Sequence, residues 1–91
     1  MSRAERRSRR EQGVRDLFGE EHATAALDLL ELTELAWHDC YGQISPPDEI
    51  VADMLVISGG DLEGLVYAAH LAVSDWRDLR IMADERRQSQ S

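Results

Sequence analysis

Apolar side chains recur with helical period along most of this chain. Between about residues 20 and 41, Ala23, Ala26, Leu27, Leu30, Trp37 and Tyr41 share one face, and Ala25, Leu29, Leu32 and Ala36 share a second. Together they form an apolar arc of roughly 220°, about twice what a surface helix needs. Thr24, Asp28, Glu31, His38 and Asp39 fill the remaining sector. A helix with so wide an arc needs cover on two sides, so it is expected at the centre of the fold. Glu20 and Glu21 suit the positive end of its dipole, and Gly42 is its expected stop.

Ser45-Pro46-Pro47-Asp48-Glu49 then starts a helix expected over about 46–58. A serine cap, a proline in the first turn and early acids carry that signature. Ile50, Val51, Met54, Leu55 and Ile57 form its apolar face, with Asp48, Glu49 and Asp53 on the other; Gly59-Gly60 stops it. Asp61 caps a last helix expected over about 62–85, striped by Leu62, Leu65, Val66, Ala69, Ala72, Val73, Trp76 and Leu79. Tyr67, Leu71 and Met82 lie on its opposite side.

The N-terminal stretch differs. From Arg3 to Glu11 only Ala4 is apolar, so this stretch has no face to bury. Opposite charges at i,i+4 (Glu5–Arg9, Arg7–Glu11, Glu11–Arg15) add only about 0.2–0.5 kcal/mol each. Gly13 opposes helix, whereas Val14, Leu17 and Phe18 supply one apolar anchor before Gly19. No alternating strand pattern of useful length occurs. The expected fold is therefore all-α: a three-helix core (about 20–41, 46–58 and 62–85) with a basic, partly helical N-terminal arm. Residues 1–15 form the arm, 16–87 a single acidic helical domain, and 88–91 a disordered tail. A core of this size is marginal alone, and a homodimer would help.

Charge sharpens the picture. The 91 residues carry a net charge of −8. Residues 1–15 hold six arginines against Glu5 and Glu11, residues 16–76 hold thirteen acids and no Arg or Lys, and residues 77–91 hold four arginines against three acids. Lysine and asparagine are absent, which points to a GC-rich genome, such as that of an actinobacterium or its phage. No run approaches the roughly 20 apolar residues of a membrane span. The basic start lacks a signal-peptide core, and Cys40 has no disulfide partner, so a cytoplasmic location is expected.

Candidate chemistry is sparse. Trp37-His38-Asp39-Cys40 contains two metal-ligand types, but structural zinc needs four ligands at paired spacings. His38 is expected at the helix edge and Cys40 as a small core residue. Glu31, Glu34 and His38 share a stripe but lack the ExxH pattern of di-iron bundles, and no nucleophile or phosphate loop accompanies them. No cofactor and no enzymatic activity is expected. Glu34 falls among Leu27, Leu30 and Tyr41, where an unpaired charge is costly. A tyrosine hydroxyl, a C-terminal arginine or the solvent boundary would satisfy it.

The function expected is a small acidic protein-interaction module, such as a phage-encoded modifier of a host protein. Its partner would have a basic or apolar surface. Asp28, Glu31 and Asp39 are its expected acidic contacts, and Tyr67 and Leu71 its apolar anchors. The alternative is nucleic-acid binding through Arg3, Arg6, Arg7, Arg9 and Arg10 of the arm alone.

Overall fold

The computed structural model describes residues 2–90. Among them the chain is all-α, with five helices: α1 (Arg3–Phe18), α2 (Glu20–Tyr41), α3 (Asp48–Ser58), α4 (Leu62–Ser74) and α5 (Trp76–Gln90). α2 packs between α1 and α4, while α3 packs against α4 and α5. The buried centre joins Ala26 and Leu30 of α2, Met54 and Ile57 of α3, and Leu65, Ala68 and Ala72 of α4. Val14 and Phe18 of α1 and Leu79 and Ala83 of α5 are buried in the same cluster.

Four expectations about element boundaries are corrected. The arm is helical throughout. A capping box starts it: the Ser2 hydroxyl accepts from the Glu5 N–H (3.2 Å) while the Glu5 carboxylate accepts from the Ser2 N–H (3.3 Å). Arg15–Glu11 (2.7 Å) and Gln12–Asp16 (2.8 Å) bind across single turns. Only a one-residue joint, Gly19 with φ 82°, separates α1 from α2.

The single helix expected over 62–85 is two helices. Asp75 leaves the helical conformation, and its carboxylate accepts from the Asp78 N–H (3.3 Å), opening a new helix at Trp76. A short acidic side chain that bonds nearby backbone competes with helix continuation. Near Pro46 the correction has a steric origin. A residue that precedes proline is pushed out of the helical region, so α3 starts at Asp48, with the Pro47 carbonyl accepting from Ile50 and Val51. Residues 88–90, expected in a disordered tail, complete α5; residue 91 lies outside the described residues.

The cover expected on both sides of α2 is incomplete. Its Ala23–Trp37 face is buried, but Ala25 is exposed and Leu32 is 61% exposed. An apolar strip therefore faces outward along α2.

Candidate functional site

The acidic sequence block and its two arginine-bearing ends meet in space. Arg6 donates from Nε (2.9 Å) and Nη2 (2.6 Å) to Glu34 Oε2, and Arg10 Nη1 donates to Oε1 (2.9 Å). Glu34 is only 2% exposed, so α2 buries a carboxylate that α1 neutralises. Arg7 bridges Asp28 (2.9 Å) and Glu31 (3.0 Å), and Arg9 reaches Asp48 (3.4 Å). The guanidinium pKa values of Arg6 and Arg7 are raised, chiefly by these hydrogen bonds. Glu34 thus meets N-terminal arginines rather than a tyrosine or a C-terminal arginine. Its signal was present: Asp28, Glu31 and Glu34 recur at i,i+3, matching Arg6 and Arg10 at i,i+4.

The C-terminal helix repeats the device. Asp53 of α3 is 1% exposed and lies 2.7 Å from Arg87 Nη1 and 3.2 Å from Arg80 Nε. Arg87 also meets Asp84 (3.1 Å), and Arg86 donates to the Ile57 carbonyl (2.9 Å). Asp53, expected on a solvent face beside Asp48 and Glu49, is instead buried. Its place between Ile50 and Ile57, three and four residues away, is a core register. The side chains of Arg80 and Arg87 remain 44% and 40% exposed and can turn to water. Asp53→Ala is therefore expected to lower stability by about 1–3 kcal/mol in urea unfolding. Tryptic cleavage should appear first at Arg80, Arg86 and Arg87.

The sequence-level contact residues are not gathered into one patch. Asp28 and Glu31 face Arg7, whereas Asp39 is exposed beside His38, 3.9 Å away. Tyr67 is half-exposed and its hydroxyl donates to Met82 Sδ of α5 (3.9 Å), while Leu71 is half-buried against the core. Of the arm arginines, Arg6, Arg7, Arg9 and Arg10 face carboxylates, and Arg3 is exposed. Cys40 is exposed, correcting its expected core position, because it lies on the side of α2 away from the buried face. No grouping of three or more His, Cys, Asp or Glu fit to hold a metal occurs among the described residues. No described helix is long and apolar enough to cross a membrane.

What the fold does create is a groove of about 210 Å³ between α2 and α4. Leu29, Leu32 and Ala36 form one wall and Val66, Ala69 and Val73 the other. Its polar members are His70 and Thr33, whose hydroxyl donates to the Leu29 carbonyl (2.8 Å). Leu32 and Val66 are 61% and 53% exposed. Acids flank this uncharged strip one turn away: Asp28 precedes Leu32 by four residues, Asp39 follows Ala36 by three, and Glu63 precedes Val66 by three. Sequence periodicity found both walls but not that they adjoin. No protein-family model, curated protein or solved structure matches the chain.

Proposed function

We propose that the protein is a non-enzymatic docking module for an amphipathic helix of a partner protein, apolar on one side and basic along its flanks. The uncharged α2–α4 groove with its acidic rim carries this reading. A helix laid in such a groove buries its apolar stripe, and arginines on its flanks would meet Asp39 and Glu63, Asp28 being already held by Arg7. The chain's own α1 is an internal precedent, since it seats Arg7 on Asp28 and Glu31. A second copy fits the rim less well, because residues 16–76 bring thirteen further acids and no Arg or Lys. Nucleic acid is less favoured for a separate reason: Arg6 and Arg10, two of the five arm arginines it would use, are held by a buried carboxylate. The lone exposed thiol of Cys40 suits a reducing cytoplasm as the place of encounter.

Two labelled helical peptides with the same leucine–alanine stripe, one flanked by arginine and one by glutamate, test the reading by fluorescence anisotropy. The arginine-flanked peptide is expected to bind roughly tenfold tighter at low salt, with the difference shrinking as salt screens the rim. Leu32→Asp should abolish that binding without changing the melting temperature, because Leu32 is largely exposed. Equal binding of both peptides, binding of neither, or a concentration-dependent dimer that Leu32→Asp dissolves would overturn it.

A further inference from the structure

α1 and α2 are joined through one residue, Gly19, whose φ of 82° and ψ of 163° lie in a region open essentially to glycine alone. Helical hydrogen bonding reaches this residue from both sides. Its N–H donates to the Arg15 carbonyl (2.9 Å), and its carbonyl accepts from the Ala23 N–H (3.0 Å). The bend interrupts the bonds that Glu20, Glu21 and His22 would make to Asp16, Leu17 and Phe18 in a continuous helix. In their place α2 starts without a side-chain cap, and His22 donates only to the nearer Gly19 carbonyl (3.3 Å).

The contacts that hold α1 on α2 are disposed almost symmetrically about the same residue. Arg7 lies twelve residues before Gly19 and its partner Glu31 twelve after it. Arg6 lies thirteen before and its partner Glu34 fifteen after. Two straightened copies laid antiparallel, with a two-fold axis beside Gly19, therefore set each α1 on the other copy's α2 in the register it holds within one chain. α1 is suited to leave its own α2, since only Val14 and Phe18 of it are buried.

We propose that the protein forms a dimer by exchanging α1, with Gly19 as the hinge and the α2 of a second copy as the receiving surface. The α1 contacts are the same in the closed monomer and in the exchanged dimer, so they cancel. The balance then rests on the joint and on concentration. The straight joint gains helical hydrogen bonds and sheds an unusual backbone conformation. The closed monomer has the advantage of a covalently tethered partner, equivalent to a millimolar-range concentration of α1. A short, constrained hinge shifts such a balance toward exchange. The α2–α4 groove takes no part, so this inference does not depend on the docking reading.

Light scattering on the full chain, refolded at rising concentration, is expected to show a dimer whose fraction grows toward the millimolar range. Gly19→Ala should raise the dimerisation constant roughly a thousandfold, because each of two joints loses strain and gains helix propensity. A Cβ at this position meets open space, so no packing clash contributes. Leu32→Asp should leave the dimer intact, which separates it from a dimer formed through the groove. Charge reversal tests the exchange itself. Arg7→Glu in one chain, and Asp28→Arg with Glu31→Arg in another, each set like charges across α1 and α2 at partly exposed positions. Refolded together, the two chains should form a heterodimer that melts above either variant alone, because only exchange places opposite charges at both α1–α2 contacts. A parent chain that stays monomeric at millimolar concentration, a monomeric Gly19→Ala, a dimer that Leu32→Asp dissolves, or a mixture that melts as its separate components would overturn the proposal.

Discussion

Glu34→Ala is expected to destabilise the protein by about 3–5 kcal/mol, the range for breaking a buried ion pair from one side. The cost arises from what remains. The Arg6 and Arg10 side chains are only 12% and 13% exposed, so without Glu34 two guanidinium groups stay in poor solvent. A small domain holds about 5–15 kcal/mol in total, so this one change would remove a large part of it. Thermal unfolding should fall by more than about 10 °C, at about 4–8 °C per kcal/mol for a domain of this size. Trypsin should then cut within α1 before the rest of the chain. The companion variant Arg6→Met/Arg10→Met/Glu34→Leu should recover most of the loss, because an apolar trio of similar volume strands no charge. A Glu34→Ala protein that melts with the parent would show that the clamp contributes no stability.

Gly60→Ala is expected to cost about 2–5 kcal/mol, from two independent sources. Gly60 has φ +83°, in the left-handed region, where a side chain costs roughly 1–2 kcal/mol. A Cβ there would also lie 2.5 Å from the Leu17 carbonyl oxygen of α1. That contact is backbone, so relief requires a shift of α1 or of the α3–α4 turn, at about 1–3 kcal/mol for such overpacking. Gly59→Ala is the control. It shares a positive φ (59°) but has open space around its Cβ, so only the conformational part of the cost should appear in chemical denaturation. Equal losses in the two variants would mean that α1 does not press on this turn.

Both predictions concern how the terminal helices are held. α1 buries only Val14 and Phe18, and α5 only Leu79 and Ala83. Each supplements a short apolar contact with arginines on a buried carboxylate of the body. This arrangement offsets the self-repulsion of the thirteen acids in residues 16–76, a stretch that contains no Arg or Lys of its own. It also commits most of the basic charge internally.

The all-helical class, the α2 span and the Gly42 and Gly59 stops were legible because each is local. A 3.6-residue period, an acid at a helix start and a glycine at its end act within a turn or two. The α1 helix is hard to read from sequence because its stability comes from docking on the body, with Arg6 on Glu34 of α2 and its own Val14 in the core, and not from a strong apolar stripe. The break at Asp75 was hidden because the apolar stripe runs on through Trp76 and Leu79 while one side chain redirects the backbone.

From its residues alone, then, the protein's helical periodicity, its acidic middle and basic ends, and its doubly apolar second helix were already determined, since these depend on neighbours in sequence. Only tertiary structure decided that Glu34 and Asp53 would be buried beneath arginines 24 to 34 residues away. It also decided that Leu32 would stay open beside Val66. Those outcomes depend on which helix faces which, and a one-dimensional period gives a face its polarity without naming the partner that covers it.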